Sequence, residues 1–553
     1  MKISLKIMKG ECIIEEWSSI NGKAKLKINV TQYSAGLAAE LKGFDLAKYE
    51  GNGLWVVKDC PRNRFALDLL SGGQFNGSYS VYNKAETEVC RSLGDCNEYT
   101  QGMWEHQKRS FRFKVQRKRV VDAGEMGVGK TLSTLRALKY FREELQWQNK
   151  FWWIAPNSGL TSLRTQLKKW GIYFTNWKLF NYHSLEREME SIHQAPQVVI
   201  FDECHALKNP SARRTQLAIT LTEEMEKLYG NNCAVIGLTG TPAPEDHFDW
   251  WSICEVIRPG WLKESSFNKF KYRIAEFGTG QRADGGSFPQ FLQWRDNEIQ
   301  ILPKRLEGLI LVTWKKDCLD LPEKVYEVIE VEPAPEILRA AKMLKNTASR
   351  AIELHSRLRQ LSDGFQYVKN EEDERETAFA ETDKDKVIRE LLQQYTKEEG
   401  GNNRIVIYAA FTASIDKLTK ICLEEEWNVW RYDGRGQSSF LCKSNTSNIN
   451  FTESIYQDLH KFGERICFLG NPEAAGQGLT LTPASTIVYY SNSFKSQYRV
   501  QSEDRIHRFG ASKERGCKII DIIHLPTDKL VIEKLHAKRE VEENTLTEIE
   551  ALL

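Results

Sequence analysis

A chain of 553 residues is too long for one hydrophobic core, and at roughly 100–200 residues per domain three or so folded units are expected. Hydrophobic residues at 41 % and charged residues at 27 % exclude an intrinsically disordered or collagen-like chain. A net charge of only +2 argues against a histone-like binder that works by bulk phosphate neutralisation, but leaves room for one local basic groove. The 12 cysteines are scattered, with no C-x-x-C pair, so neither a zinc ribbon nor a disulfide scaffold is expected. The N-terminus lacks the continuous apolar core of a signal peptide, and no apolar run reaches the roughly 18 residues of a membrane span. The expectation is a soluble, intracellular protein without membrane contact.

Residues 1–100 show short alternating runs, such as Ile3-Leu5-Ile7 and Leu54-Trp55-Val56-Val57, that predict a small β-rich or α+β accessory domain. The polar stretch from Tyr79 to Gly102 reads as a linker. From residue 103 to 260, near-continuous apolar runs alternate with helical stretches. The runs RKRVVDA, FWWIAP, QVVIF and CAVIGLTG predict buried parallel strands of a first α/β lobe. Residues 261–380 are richer in helix-forming and charged residues and are expected to form a helical insertion and linker, with EEDERE from Glu371 as a solvated link. Residues 381–525 resume the α/β rhythm at RIVIYAAF, WNVWRYDG, RICFLG, STIVYYS and CKIIDIIHL, a second lobe. Residues 526–553 predict a helix with Leu530, Ile532, Leu535 and Val541 on its apolar side and Thr527-Asp528 at its cap.

Three segments carry chemistry. GEMGVGKT, comprising Gly124, Glu125, Met126, Gly127, Val128, Gly129, Lys130 and Thr131, follows an apolar strand and opens a helix. Glycines let backbone N–H groups wrap phosphates, and a helix N-terminus favours anions. Lys130 would neutralise the β- and γ-phosphates of ATP, and Thr131 would ligate Mg2+. In VVIFDECH an apolar strand runs into two adjacent carboxylates. Asp202 is expected to contact Mg2+, and Glu203 to polarise the attacking water. In QSEDRIHRFG, Arg505 and Arg508 lie three apart, as on one face of a helix, and could stabilise transition-state charge on a γ-phosphate. Taken singly, these segments also read as a glycine turn, a strand ending in an acidic turn and an exposed basic helix.

The ordered series GEMGVGKT, DECH, LTGTP, the Gly476-Gln477-Gly478 turn and QSEDRIHR resembles superfamily two helicases. EMGVGKT, DECHALKN, LTGTPAPEDHFDWWSICEVIRPG, LDLPEK, RLRQLSDGF, YDGRG and AAGQGLTL are similar, in that order, to the Swi/Snf branch, from about Met103 to the C-terminus. The resemblance implies two tandem RecA-like P-loop lobes with helical insertions. It implies that Gln107 reads adenine, that Gly478 lies near the nucleotide, and that His205, Thr239, Thr241 and Gln501 couple hydrolysis to lobe movement. It places Pro156, Asn157 and Thr480 at the DNA backbone. The chain departs from the family at Cys204, which stands for alanine, at Thr480, where asparagine is common, and at Gly124, which replaces an acidic or small residue.

The activity expected from this resemblance is DNA-stimulated ATP hydrolysis that drives translocation on duplex or branched DNA, by a monomer using ATP and Mg2+. A strand-separating DNA or RNA helicase and an ATP-gated binding scaffold are the competing readings. The compactness of the chain suggests a bacterial or phage protein working in the cytoplasm. The basic stretch Arg109 to Arg119 reads as a solvated helix or a groove lining, and Trp152, Trp153, Trp250 and Trp251 as core.

Overall fold

The computed structural model describes residues 2–7, 10–18, 24–32, 35–75, 79, 82, 97–281, 285–347, 351–369, 375–397, 403–442, 451–458, 465–475 and 479–552. The chain forms two compact units: Met1–Cys318 together with Val541–Leu553, and Leu319–Glu540. No helix among the described residues is long and apolar enough to cross a membrane.

The first unit opens with an antiparallel sheet in the order β1-β2-β3-β5-β4, formed by β1 (Lys2–Ile7), β2 (Gly10–Ser18), β3 (Ala24–Gln32), β4 (Lys48–Gly51) and β5 (Leu54–Lys58). Alternation puts Leu26 and Ile28 of β3 and Trp55 and Val57 of β5 on one face. Helices Ala35–Gly43 and Pro61–Leu70 cover that face with Leu37, Leu41, Ala66 and Leu67. This is an α+β layer.

That layer is joined to the α/β part of the same unit by buried charge as well as apolar contact. Arg62 pairs with the fully buried Glu255 and donates to the Ser265 carbonyl at 2.7 Å. Phe65 stacks on Trp261 at 5.8 Å, and the Arg258 guanidinium lies 3.9 Å above the Phe65 ring. Gly260 has φ +87°, and a Cβ there would sit 2.5 Å from the Arg62 carbonyl oxygen, so only glycine fits. Glu40 accepts from Arg273 at 3.0 and 3.2 Å and lies 3.2 Å from Lys263. Burial works to raise the Glu40 carboxyl, but Lys263 and Arg273 outweigh it and hold it at about 2. The first hundred residues therefore pack as part of the unit that follows them.

The α/β part holds six strands in the order β13-β6-β10-β9-β7-β8: β6 (Arg119–Gly124), β7 (Phe151–Ile154), β8 (Trp177–Phe180), β9 (Val198–Asp202), β10 (Ala234–Leu238) and β13 (Ile310–Thr313). All pairings are parallel. The four predicted apolar runs form β6, β7, β9 and β10. A hairpin, β11 (Ala275–Gln281) with β12 (Ser287–Trp294), stands outside this sheet. The final helix runs from Pro526 to Leu552, and its last turns belong to the first unit, where Leu546 and Ile549 are buried in the core.

The second unit is built on seven strands in the order β14-β22-β21-β17-β20-β18-β19: β14 (Lys324–Glu330), β17 (Arg404–Tyr408), β18 (Asn428–Asp433), β19 (Gly436–Phe440), β20 (Ile466–Gly470), β21 (Thr486–Tyr489) and β22 (Cys517–Ile523). A separate hairpin joins β15 (Phe365–Lys369) to β16 (Arg375–Phe379). The stretch expected as a helical insertion, 261–380, thus also contains strands: β13 extends the first sheet and β14 the second. Residues 371–374 of the expected solvated link lie outside the described residues.

Two stability measurements follow. Arg62→Ala leaves Glu255 buried without its ion-pair partner, and burial already pushes that carboxyl up to about 7 against Arg62. The variant is expected to lose about 3 kcal/mol from the first unit, read by urea unfolding. Glu542 accepts from the Ala243 N–H at 3.0 Å. Burial, with Asp249 and Glu543 adding charge, pushes its carboxyl from 4.5 up to about 8 against the Ala243 N–H and Lys208. A carboxyl raised on folding holds a proton that the unfolded chain has released, so its contribution is lost as pH rises from 4.5 to about 8. Glu542→Gln is expected to raise the thermal midpoint by a few degrees at pH 8 and little at pH 4.5.

Candidate active site

The carboxyl ends of β6, β9 and β10 lie at one level. Leu238 pairs with Asp122 of β6 on one side and with Asp202 of β9 on the other. The residues that follow each strand therefore gather along one edge of the sheet, where open α/β sheets place ligands.

Beyond β6 the chain turns through Gly127 and Gly129, at φ +92° and +94°, and enters helix Lys130–Glu143. The Lys130 ammonium donates to the carbonyls of Gly124 at 2.5 Å and Glu125 at 3.1 Å, so it sits over its own loop. Thr131 is in the first turn of the helix. Glu125 accepts from the Lys315 N–H at 2.5 Å, and Met126 packs on Gly240. Gln107 is buried on helix Glu105–Arg117, with its amide against the loop: Nε2 donates to the Val128 carbonyl at 3.3 Å, and Oε1 accepts from the Trp104 N–H at 3.1 Å. A Cβ on Gly129 would come within 2.2 Å of that amide nitrogen.

Asp202 ends β9. It accepts from the Trp153 indole at 3.2 Å, and its backbone carbonyl accepts from the Tyr182 hydroxyl at 2.7 Å. Burial, then the charge of Glu203, push its carboxyl up to about 7, against the Trp153 N–H and Lys130. Glu203 has φ +53°, in the left-handed region that non-glycine residues rarely adopt. Its Oε2 is 3.3 Å from His205 Nδ1, which is 3.1 Å from the Thr239 hydroxyl. The Thr241 N–H donates to that hydroxyl at 3.1 Å. Four residues from two motifs thus form one continuous polar chain.

The donor set suits ATP and Mg2+. An ammonium lies over a glycine loop at a helix start, and beside it are two adjacent half-buried carboxylates, one of them raised in a way that a divalent cation would relieve. Pro156 and Asn157 lie on the same edge, after β7. Asn157 Oδ1 accepts from Asn181 at 2.8 Å, and a Cβ on Gly159 would lie 3.9 Å from Asp202 Oδ2.

In the second unit, helix Ser496–Glu503 ends before the arginines. Arg505 and Arg508 are not on a helix face, as expected from their spacing, but in the turns that follow. The cause is local. The Arg505 carbonyl accepts from the Leu481 N–H at 2.9 Å and its guanidinium donates to the Leu479 carbonyl at 3.0 Å, so this backbone is bound to the 479–481 loop. Arg508 donates to the Asp504 carbonyl at 2.9 Å and to the Thr480 hydroxyl at 3.2 Å. Gln501 is buried on the helix. Gly478, with Gly476 and Gln477, lies outside the described residues.

Two features were not expected. Lys114, within the basic stretch read as solvated, is wholly buried, and so is nearly all of Arg119. The Trp152, Trp153, Trp250 and Trp251 rings are buried, as expected of core residues. Cys204, larger than the alanine it replaces, fits because Gly237 leaves it room: a Cβ at 237 would stand 3.0 Å from Cys204 Sγ.

The fold and the site together define a two-unit P-loop protein of the RecA-like class. The SNF2-related domain matches residues 174–360, and the domain of the type III restriction enzyme res subunit matches residues 96–244. The chain is 23 % identical over 458 residues to the ISWI chromatin-remodeling complex ATPase ISW1 of Saccharomyces cerevisiae, covering 75 % of this chain and 37 % of that protein. It is 23 % identical to human chromodomain-helicase-DNA-binding protein 1, covering 75 % and 25 %. It is 24 % identical to the SWI/SNF-related matrix-associated actin-dependent regulator of chromatin subfamily A-like protein 1 of Xenopus tropicalis, covering 73 % and 41 %. The chain thus spans about a quarter to two-fifths of the length of these relatives. A Sulfolobus solfataricus SWI2/SNF2 ATPase core solved in complex with dsDNA is similar at 19 % identity and a TM-score of 0.34, over 80 % of this chain and 92 % of that one. Over about three-quarters of its length the chain is thus similar to Swi/Snf-type ATPases.

A double-variant cycle checks the packing behind the acidic motif. Gly237→Ala is expected to cost about 1–3 kcal/mol by overpacking against Cys204 and Ile257. Cys204→Ala in the same chain is expected to recover most of that loss, measured by denaturant unfolding.

Proposed function

We propose that this chain is an ATP-dependent motor that translocates on duplex or branched DNA, remodelling forks, reannealing strands or displacing bound proteins. The observation that carries the reading is the shared carboxyl edge of β6, β9 and β10, which brings Lys130, Thr131, Asp202 and Glu203 to one place. The names of the relatives, chromatin-remodelling ATPases among them, support a DNA substrate.

In this reading Lys130 exchanges the loop carbonyls for the β- and γ-phosphates, and Gln107 contacts the adenine. The Thr131 hydroxyl and Asp202 would hold Mg2+, which would supply positive charge to the phosphates when bound. Glu203 accepts the proton of the attacking water. Arg505 and Arg508 are the candidates for stabilising transition-state charge on a γ-phosphate. The Glu203–His205–Thr239–Thr241 chain passes the state of the water site to the loop after β10, and Pro156, Asn157 and Thr480 contact the DNA backbone. Phosphate contacts carry little sequence information, so tracking is independent of sequence.

One observation favours strand separation as a second reading. The hairpin β11–β12 exposes Phe288, Phe291 and Leu292 on a two-stranded ribbon, and aromatic rings presented in this way suit stacking on an unpaired base.

Steady-state phosphate release with no nucleic acid, duplex, single-stranded or forked DNA, or RNA separates the readings. Stimulation by duplex or fork is expected, with Glu203→Gln lowering turnover at least about 100-fold while retaining nucleotide binding. Stimulation by single strands or RNA alone would replace the translocase with a conventional helicase, and hydrolysis under no condition would leave a binding scaffold.

A further inference from the structure

Behind the glycine loop lies a buried polar cluster that the proposed chemistry does not use. Lys114, on helix Glu105–Arg117, and Asp122, on β6, are both buried and form an ion pair at 2.6 Å. The Lys114 ammonium also donates to Ser110 Oγ at 2.6 Å and to Ser133 Oγ at 2.8 Å. Ser110 donates to Asp122 Oδ2 at 2.7 Å, and Ser133 donates to the Lys130 carbonyl at 2.9 Å. The other carboxylate oxygen, Oδ1, accepts from the Gly124 N–H at 3.1 Å. The cluster therefore ties together the helix that carries Gln107, the strand that enters the loop, and the helix that carries Lys130 and Thr131.

Stability alone does not account for such a pair. Two apolar side chains of similar size fill a buried site at equal or lower free energy, because each charge loses its hydration. What an ion pair with fixed donors adds is direction. Here the direction is taken up by the two peptides that flank the Gly124 Cα: the N–H of the one before it is held by Asp122, and the carbonyl of the one after it faces the Lys130 ammonium at 2.5 Å. The same carboxylate accounts for glycine at 124. A Cβ there would lie 2.9 Å from Val128 Cγ2 and 3.1 Å from Asp122 Oδ1, so a side chain would press on both and shift the oxygen that holds the N–H by a few tenths of an ångström.

We propose that Lys114 and Asp122 are positioning residues for nucleotide binding, which fix the Gly124 backbone and the first turn of helix Lys130–Glu143 in a phosphate-ready arrangement. Burial works to raise the Asp122 carboxyl, but the Lys114 and Lys130 charges hold it below the usual carboxylate range, so it stays an acceptor. The inference rests on reading Gly124–Thr131 as the nucleotide loop.

The test uses the full chain, a fluorescent ADP analogue with Mg2+, steady-state ATP hydrolysis and thermal unfolding. Lys114→Met/Asp122→Leu is expected to keep its unfolding midpoint, while the Kd for ADP and the KM for ATP rise about 10-fold and kcat changes less than about 3-fold. A folded double variant with the Kd and KM of the parent chain would overturn the proposal. Ser133→Ala, which removes only the link to the Lys130 helix, decides the matter if the double variant does not fold. A rise in KM of about 3-fold at an unchanged midpoint supports the proposal, and an unchanged KM overturns it. Lys130→Ala tests the underlying reading separately: if it binds ADP as the parent chain does, the loop is not the nucleotide site and the inference falls with it.

Discussion

The first unit depends on the register of three parallel strands. Because Leu238 pairs with both Asp122 and Asp202, the chain leaves β6, β9 and β10 at the same height. A slip of one residue in any of them would turn its side chains to the opposite face of the sheet and move its exit by about 3 Å. The strands cannot slip without exposing apolar residues, since Val120, Val121, Val199, Ile200, Val235 and Ile236 are buried on both faces. Core packing thereby sets the distance between an ammonium and a pair of carboxylates.

Around that edge the structure spends buried polar groups freely. Trp153 and Tyr182 hold Asp202 from two sides, and the His205–Thr239 contact joins two loops far apart in sequence. Each contact is directional, and each buried donor or acceptor left unmet would cost about 1–3 kcal/mol. A loop held in this way has few alternatives, which is what preorganisation requires.

Much of this was legible in the sequence because it is local. Apolar runs as dense as FWWI and VVIF have one comfortable place, a sheet covered on both faces, and a glycine loop between strand and helix announces itself by composition. The rest was set by partners distant in the chain. The four residues of β13 are too few to show a period, and β14 presents Val325 and Val328 to solvent, so neither stood out within a charged segment. The turn at Arg505 is imposed by the 479–481 backbone, which spacing within QSEDRIHR cannot reveal. Lys114 did leave a signal: Gln107, Ser110, Phe111 and Lys114 fall at i, i+3, i+4 and i+7, the stripe that a helix buries, and Asp122 interrupts an otherwise apolar strand. A lysine and an aspartate placed at core positions of adjacent elements point to each other.

The first unit is not contiguous along the chain. The α+β layer leaves the ribosome with the Phe65 face and Arg62 ready, but Glu255 and Trp261 are made about two hundred residues later, and Leu546 and Ile549 only after the whole second unit has been made. At elongation rates of roughly 5–20 residues per second, these surfaces wait on the order of ten seconds or more for their partners. The order of synthesis is therefore not the order of completion. The lobe that begins first is among the last to close its core, and chaperone demand during biosynthesis should fall on it more than on the lobe translated after it.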